Sequence, residues 1–318
     1  MKRIQIERRR GLSPAAFFQE HLRGPGLPVI VTDATDKWKA RSTWTFEFLK
    51  AEYGSETVLV RAGLSSKISG VMDLAGYIDG LDEPSGPTPK FWLDADGHPR
   101  SEPPQAPTSP LYLVDWHVFR KHPELFAGID PVPYFVEDWV PSLSPILRDL
   151  FQWTAQREYW DIFIGPQGSL SKLHYDFWHT HAYFAQIRGR KHCTLFSPED
   201  TEFLYDGRVD PERPDFERFG LFDKATAYEA VLEPGEVLFV PRRWWHSVVA
   251  LEKSITVSHS FFNHVNFGEH VTHLIRNLPA LVEGLEKFDE WRAALDIEWR
   301  CKGFDHPDLG ANPSVDHE

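Results

Sequence analysis

The chain has 318 residues, of which 42% are hydrophobic and 25% charged, and these proportions exclude an intrinsically disordered chain or a coiled coil. Its formal net charge of -13 at pH 7 disfavours direct contact with nucleic acid, because a protein that binds nucleic acid must neutralise phosphates. The two cysteines, Cys193 and Cys301, are too few for a disulfide framework or a Cys-rich zinc site, so we expect a reducing, cytoplasmic setting, or a nuclear one in a eukaryote.

The first 110 residues predict a mixed α/β elaboration, and the chain length allows either two domains or one enlarged β domain. Periodicity and capping signals predict a helix over Pro14–Leu22 with Ser13 as its cap, a strand over Leu27–Thr32, a helix over Thr45–Tyr53 and a strand over Glu56–Arg61. Prolines crowd residues 82–110, where we expect a long surface loop without regular elements. The basic N-terminus is followed by no apolar stretch, and no run of about 18 apolar residues occurs, so neither an export signal nor a membrane span is expected.

Residues 111–267 change to short apolar-alternating runs that are separated by Gly and Pro turns. Many short strands at such regular spacing predict a β-sandwich or β-barrel. The clearest predicted strands are Tyr159–Ile164, Ala182–Arg188, His192–Phe196, Ala227–Leu232, Glu236–Val240, Ser247–Leu251 and Ser254–Phe262.

Residues 268–304 turn to a helical pattern, which Pro279 should divide into two helices, and residues 305–318 are expected to form a flexible tail. The helices carry an apolar stripe that must pack on the barrel or on a second copy of the chain. The stripe runs through Leu274, Leu278, Leu281, Leu285 and Phe288. We therefore expect a homodimer that forms through these helices.

A histidine and an aspartate stand two residues apart at His174 and Asp176. On a strand, two such side chains point to the same face and can reach one metal ion. The pair alone is a weak signal, since triplets of this kind arise by chance in many proteins. A metal site therefore requires a third ligand.

The candidate for the third ligand is His246. Gly235 opens a turn, an apolar run follows, and Pro241 ends it, which places His246 at the start of the next strand. Two histidines and one aspartate from neighbouring strands form a facial triad, a ligand set that leaves positions on Fe(II) open. The alternative is a core histidine beside Trp244 and Trp245, but that reading does not account for the Gly and Pro frame.

With these motifs the chain resembles the JmjC branch of the cupin superfamily, which consists of Fe(II)- and 2-oxoglutarate-dependent oxygenases. Gly168, followed after five residues by His174, resembles the opening of the first cupin motif, with Asp176 in the place of its second histidine. The segment from Gly235 to His246 resembles the second motif.

One departure from that second motif is Arg243, which stands where the wider superfamily usually has glycine. The resemblance covers residues 110–266. It implies a mainly β fold with flanking helices, in which a double-stranded β-helix (jelly-roll) core carries an N-terminal α/β elaboration and C-terminal helices.

The resemblance also implies a site for 2-oxoglutarate. Lys191 corresponds to the family's lysine for the distal carboxylate, which it would hold by a charge-assisted hydrogen bond, and a solvated lysine beside a hairpin is the alternative. Ser171 corresponds to the family's threonine that contacts the same carboxylate. Tyr112 corresponds to a tyrosine that some members use in the same way.

Other contacts of the co-substrate are less defined by the motifs. Ser258, Ser260 and Asn263 line the last core strand, where the family often has an asparagine near the metal. Phe184 takes a place where several relatives carry asparagine, which leaves the proximal carboxylate without an assigned partner.

The resemblance implies an enzyme that holds Fe(II) with His174, Asp176 and His246 and uses 2-oxoglutarate to hydroxylate a protein side chain, with release of succinate and CO2. Segments Tyr112–His117 and Ile255–Phe267 are similar to the branch of the family that hydroxylates a lysyl side chain of a translation termination factor. The negative net charge favours a basic partner, so the expected substrate is a Lys or Arg side chain of a protein or peptide.

Three other functions stay open from the sequence: an oxygenase of a small molecule, an N-methyl demethylase, and a metal-binding cupin that is non-catalytic or independent of 2-oxoglutarate. Lys191 and Ser171 speak for the co-substrate, since a protein that binds only a metal does not need them.

Two further histidines, His179 and His181, offer an all-histidine zinc site as an alternative, which Asp176 and His246 make unnecessary. The simpler interpretation of His179 and His181 is a surface or substrate-facing role. Together with three tryptophans they also suggest a slot for a long substrate side chain, and core or pocket wall is the alternative for the tryptophans Trp178, Trp244 and Trp245.

Overall fold

The computed structural model describes residues 1–64, 68–94, 98–103, 109–114, 116–130, 133, 135–143, 160–176 and 178–276. Its α-helices are α1 (Pro14–Phe17), α2 (Ala40–Thr43), α3 (Phe46–Tyr53), α4 (Leu74–Asp79) and α5 (Val118–Lys121), and a further helix begins at residue 267 and is described through residue 276. A π-helical turn over Phe18–Leu22 continues α1, and short 3₁₀ turns cover Gly80–Asp82, Pro123–Gly128, Val140–Ser142, Pro198–Phe203, Tyr205–Gly207 and Gly220–Lys224.

Among the described residues, β-strands form the larger share of the regular secondary structure. The strands of the N-terminal part are β1 (Lys2–Gln5), β2 (Arg8–Arg9), β3 (Val29–Val31), β4 (Thr57–Arg61), β5 (Ile68–Asp73), β6 (Phe91–Leu93) and β7 (Pro99–Arg100). The later strands are β8 (Trp160–Gly165), β9 (Leu170–His174), β10 (His181–Arg188), β11 (Lys191–Phe196), β12 (Thr226–Leu232), β13 (Val237–Val240), β14 (Trp245–Ala250) and β15 (Ser254–Phe261).

Strands β8 to β15 are shared between two facing sheets. One sheet has the order β1-β12-β11-β14-β9 and the other the order β2-β3-β13-β10-β15-β8. Apart from β11 and β12, which are neighbours in one sheet, successive strands from β8 to β15 alternate between the two sheets, as in a jelly roll, and the predicted mainly β fold is confirmed. The seven predicted strands of this part all occur, with ends that move by one or two residues.

The N-terminal segment contributes strands to both of these sheets. β1 pairs in parallel with β12, and β3 pairs antiparallel with β13 while β2 runs parallel to β3. Helix α1 is capped by Ser13, as predicted, because the serine oxygen accepts a hydrogen bond from the Ala16 N–H. Residues 2–31 therefore form the outer strands of both sheets and a helix beside them.

A separate sheet, β4-β5-β6-β7, connects to the jelly roll through two backbone bridges. Tyr112 pairs with Arg61 of β4, and the next residue, Leu113, pairs with Ile164 of β8. This connection fixes the backbone of Tyr112 between the small sheet and the jelly roll, with its side chain in the cavity described below.

The prediction that residues 82–110 hold no regular element is wrong, because β6 and β7 form within them. The apolar run Phe91–Leu93 packs with the small sheet, and Pro99 stands at the first residue of the edge strand β7, where a missing N–H is tolerated. Local proline density thus did not outweigh the apolar burial.

The C-terminal helical pattern starts at residue 267, one residue before the predicted start. Leu274, the first residue of the predicted stripe, is buried and packs with Val140 and Phe262 of the same chain. The rest of that stripe, the division at Pro279 and the tail over 305–318 lie outside the described residues. Among the residues that are described, no helix is long and apolar enough to cross a membrane.

Candidate metal centre and co-substrate cavity

The structure brings His174, Asp176 and His246 together at one end of the facing sheets. His174 is the last residue of β9 and pairs directly with His246, the second residue of β14. One potential ligand atom of each of the three side chains lies within 4.8 Å of the other two. A single cation can therefore contact all three residues.

A β-bulge in the pairing of β9 with β14 places Ser171 and His174 on the same face of β9. Ser171 pairs with Val248 and His174 pairs with His246, so three steps along β9 match two steps along β14. The extra residue puts Ser171 and His174 on the same face, which a regular strand with period two would not do.

Asp176 does not share a strand face with His174, contrary to the prediction from their spacing. β9 ends at His174, so Asp176 lies two residues beyond the strand and is not on the same strand face as the histidine. The two side chains still meet, with 4.0 Å between His174 Nε2 and Asp176 Oδ1.

Both histidines are oriented by backbone carbonyls. Nδ1 of His174 lies 2.6 Å from the carbonyl oxygen of Lys172, and Nδ1 of His246 lies 3.1 Å from that of Trp244. Because a carbonyl oxygen can only accept, each Nδ1 must carry the proton and donate it. Each Nε2 is then left with its lone pair, the form that binds a metal ion.

The chemistry of this donor set fits Fe(II). Two neutral imidazoles and one carboxylate are the facial ligand set of non-haem iron oxygenases and leave coordination positions for other molecules. His246 is buried, whereas the side chains of His174 and Asp176 are 24% and 20% exposed to solvent. The centre is thus enclosed on the side of His246 and open to solvent on the side of His174 and Asp176.

A cavity with an empty volume of about 510 Å³, which includes its open mouth, leads away from the three ligands between the two sheets. It is lined by Leu64, Tyr112, Phe163, Ser171, His174, Asp176, Ala182, Phe184, Lys191, Cys193, Leu232, His246, Val248, Thr256, Ser258 and Ser260. All of the predicted site residues except Asn263 are in this set.

Lys191 is the cation of the cavity. Its side chain is buried, and its Nζ donates a hydrogen bond to the Tyr112 hydroxyl at 2.8 Å. Burial lowers the pKa of Lys191 from 10.5 to about 7, and burial also raises the pKa of the neighbouring Cys193 thiol to about 12. A carboxylate brought to Lys191 would restore its charged form, since an opposite charge favours the ammonium.

The distance from Lys191 to the metal ligands suits a short dicarboxylate. Lys191 pairs with Ala250 and Leu195 pairs with His246, so four residues along β11 separate the two levels. At about 3.3 Å per residue, the backbone of Lys191 lies roughly 13 Å along the strand from the level of His246. The lysine side chain occupies part of this span and leaves the remainder for a ligand.

The cavity has one polar wall and one apolar wall. Ser258 and Ser260 of β15 pair with Phe184 and Ala182 of β10, and all four side chains face the cavity. The Phe184 ring centroid lies 5.8 Å from that of His246, so an apolar ring flanks the metal centre. Alternation along β15 adds Thr256 to the serines, and the same period could have predicted this residue from the sequence.

Asn263 does not contact the cavity, contrary to the expectation. It lies beyond the end of β15, in the turn before the 267–276 helix, where its Oδ1 accepts a hydrogen bond from the Val265 N–H. Asn266, which lies in the predicted similar segment Ile255–Phe267, connects this turn to the backbone at His179. Its Oδ1 accepts from the Asn263 N–H and its Nδ2 donates to the His179 carbonyl.

His179 and His181 do not join the triad. His181 faces the opposite side of its sheet between Phe239 and Phe261, where burial lowers its pKa to about 3 and its Nδ1 accepts from the Arg242 N–H. His179 lies beside the 267–276 helix, with its Nδ1 3.9 Å from Glu269 Oε2.

The suggested aromatic slot is also wrong. None of the three tryptophans lines the cavity, and Trp244 and Trp245 are buried in the packing behind it. Trp244 Nε1 donates to the Pro25 carbonyl, and Trp245 Nε1 donates to Thr201 Oγ1. These rings support the chain around His246.

Comparison with known proteins agrees with this geometry. Residues 130–267 match the family described as the cupin-like domain. Arginine-specific demethylase JMJ20 of Arabidopsis thaliana is 29% identical over 283 residues, which cover 82% of this chain and 58% of that protein. Lysine-specific demethylase 8 of Xenopus tropicalis is 30% identical over 250 residues, with 76% and 49% covered.

A third relative, 2-oxoglutarate and iron-dependent oxygenase JMJD4 of Homo sapiens, is 28% identical over 314 residues, which cover 91% of this chain and 69% of that protein. The chain thus spans about half to two thirds of the length of these three relatives.

Proposed function

Since this chain carries a cupin-like domain of the JmjC type, we propose that it is an Fe(II)- and 2-oxoglutarate-dependent oxygenase that hydroxylates a protein side chain. The observation that carries the proposal is a buried lysine in the same cavity as a two-histidine, one-carboxylate triad. A cupin that only binds a metal has no need for such a lysine, whose burial costs free energy.

The residues of the chain divide the work as follows. His174, Asp176 and His246 hold Fe(II), Lys191 with Tyr112 holds the distal carboxylate of 2-oxoglutarate, and Ser171 assists there. Bound Fe(II), with 2-oxoglutarate and dioxygen, supplies the oxidation of a C–H bond, with succinate and CO2 as co-products.

The apolar wall has a role of its own. Phe184 and its neighbours keep water away from the space between Lys191 and the metal ligands, which strengthens the contact between the ammonium and a carboxylate.

The proposed substrate is a Lys or Arg side chain of a basic protein or peptide, in a cytoplasmic setting. The net charge of -13 supports a basic partner, and the free, buried thiol of Cys193 supports a reducing compartment. We also propose a homodimer through the C-terminal helices, which light scattering at micromolar protein tests. A monomer would contradict it.

Demethylation is the second candidate, because two of the relatives carry the name of a demethylase. Both reactions begin with oxidation of a C–H bond, so mass spectrometry of the product distinguishes them. Hydroxylation adds one oxygen to the peptide, whereas demethylation removes a methyl group as formaldehyde.

The test of the proposed function is conversion of 2-oxoglutarate to succinate with and without Fe(II), followed by mass spectrometry of basic peptides. His174→Ala and Asp176→Ala should each abolish turnover and metal binding while the fold persists, because a core of this size does not depend on one open metal site. His192→Ala is a matched control, since His192 is next to Lys191 but faces away from the cavity and binds Glu212. Turnover that survives in Asp176→Ala would refute the assignment.

A further inference from the structure

The carboxylate ligand differs from the two histidine ligands in how it is held. Each imidazole donates to a backbone carbonyl, whereas among the described residues no group donates a hydrogen bond to the Asp176 carboxylate. Asp176 also lies outside the ladder of β9 and β14, so no backbone pairing of a strand fixes its position. Its placement must come from the residues on either side of it.

On one side of Asp176, a turn fixes the chain. The His179 N–H donates to the Asp176 carbonyl at 3.1 Å, and Asn266 Nδ2 donates to the His179 carbonyl at 2.9 Å. This turn limits where the chain leaves Asp176 but does not determine how the chain arrives there from β9.

On the other side, Tyr175 packs on Trp245. Their ring centroids are 4.8 Å apart at an angle of 75°, an edge-to-face arrangement that aromatic pairs favour. Tyr175 directly precedes Asp176, and Trp245 directly precedes His246. The ring pair therefore joins the segment that carries His174 and Asp176 to the segment that carries His246.

The indole of Trp245 is a fixed platform for this contact. It is buried, and its Nε1 donates to Thr201 Oγ1 at 3.0 Å. Gly207 packs behind it so closely that an added Cβ would lie 3.0 Å from the indole and 2.3 Å from the Leu173 carbonyl oxygen. The indole thus has no room to move on that side, whereas Tyr175 is 36% exposed and packs on the indole from the solvent side.

We propose that Tyr175 is a positioning residue that sets the metal ligand Asp176 through its contact with Trp245. The proposal rests on the proposed function only in requiring that Asp176 binds a metal ion. Tyr175 lies outside the cavity, so it has no contact with the co-substrate and its effect must appear in the affinity for the metal.

The test is anaerobic calorimetric titration with Fe(II), repeated with Mn(II), on the full chain. Tyr175→Ala should weaken metal binding about 3- to 10-fold, the range that loss of one aromatic pair gives. Tyr175→Phe keeps the ring and should bind the metal as the wild type does. The stability of each variant, measured by denaturant unfolding, separates a local effect from a loss of folded protein.

The chain offers a matched control in Tyr228, which packs edge-to-face on Trp244 at 5.1 Å and 76°. Tyr228→Ala deletes an equivalent ring pair one residue earlier in the same segment, away from Asp176, and should leave metal affinity unchanged. Equal affinity in Tyr175→Ala and the wild type would overturn the proposal, and so would an equal loss in Tyr228→Ala or in Tyr175→Phe. A wild type that binds neither metal would instead refute the proposed function.

Discussion

Lys191 is the residue on which the proposed co-substrate site depends most directly. Its buried ammonium has a phenol hydroxyl as its partner in the cavity, so a dicarboxylate would bring the counter-charge that desolvation makes necessary. Arg188 and Arg190, the other cations near this hairpin, are engaged elsewhere, with the Arg41 carbonyl and with Glu252.

Replacement of Lys191 by Met should therefore weaken 2-oxoglutarate binding by about 1.5–3 kcal/mol, or roughly ten- to a hundred-fold, through loss of a charge-assisted contact. Metal affinity should not change. Calorimetric titration of 2-oxoglutarate into the Mn(II)-loaded protein measures the effect. Lys172→Met is the control, because Lys172 is exposed on β9. A constant for Lys191→Met within about twofold of the wild type would show that another group holds the carboxylate.

The same lysine should make the stability of the ligand-free protein depend on pH. Its pKa is about 7 in the folded chain and 10.5 in the unfolded chain, so between these values the unfolded state holds a proton that the folded state has released. The free energy of unfolding should then rise with pH across that window, by an amount on the order of a few kcal/mol, and the penalty should be constant below pH 7.

Denaturant unfolding of wild type and Lys191→Met at pH 7 and pH 9.5 checks this sign. The variant should be the more stable protein at pH 7, and its advantage should shrink at pH 9.5. An advantage that is independent of pH would mean that Lys191 keeps its ordinary pKa.

At the level of elements, Asn263 lies in the turn between β15 and the 267–276 helix, where it does not make the co-substrate contact that we expected. Asn266 is buried, and its side chain satisfies both the Asn263 N–H and the His179 carbonyl. Since buried partners that lose their hydrogen bonds are costly, Asn266→Ala should lower the free energy of unfolding by about 2–3 kcal/mol.

Asn263→Ala is the comparison for that change. It removes one hydrogen bond, to the Val265 N–H, so it should cost about 1 kcal/mol and leave the affinity for 2-oxoglutarate unchanged. Chemical unfolding and co-substrate titration on both variants give the answer, and a loss of co-substrate affinity in Asn263→Ala would reinstate the original assignment.

The elements of the core follow from sequence because their pattern is local. Alternation along β10 and β15 identified the strands, and the Gly and Pro frame around β13 identified the position of His246. Even the departure at Arg243 has a structural counterpart, since its φ of 63° lies in the region that favours glycine.

What the sequence could not predict depends on contacts between distant segments. The bulge in β9 exists only relative to β14, and a pattern within one strand cannot show it. Asp176 reaches the metal centre from outside the strand because neighbouring packing places it there. The spacing of two residues therefore predicted the right ligand, although the two side chains do not share a strand face.

At the scale of the whole molecule, the net charge of -13 should act with opposite signs on the two proposed substrates. A basic peptide is attracted and 2-oxoglutarate is repelled, and salt screens both effects as the Debye length falls to about 8 Å at physiological ionic strength. We expect kcat/KM for a basic peptide to fall as NaCl rises, whereas the KM for 2-oxoglutarate should fall slightly.

Steady-state rates over a salt series measure both constants. A peptide in which the basic residues that flank the target are replaced by Glu is the control, and its kcat/KM should rise with salt. A basic peptide whose kcat/KM does not depend on salt would show that the charge serves solubility alone.

The pairing of the first strands with late ones governs how the chain folds as it is made. Lys2 pairs with Thr226 and Val29 with Phe239, so the N-terminal strands wait for partners that are synthesised more than 200 residues later. At about 5–20 residues per second the delay is roughly 10 to 45 s, a long time for unpaired strand edges. The yield of native protein in a cell will therefore depend on keeping nascent chains apart until both sheets close.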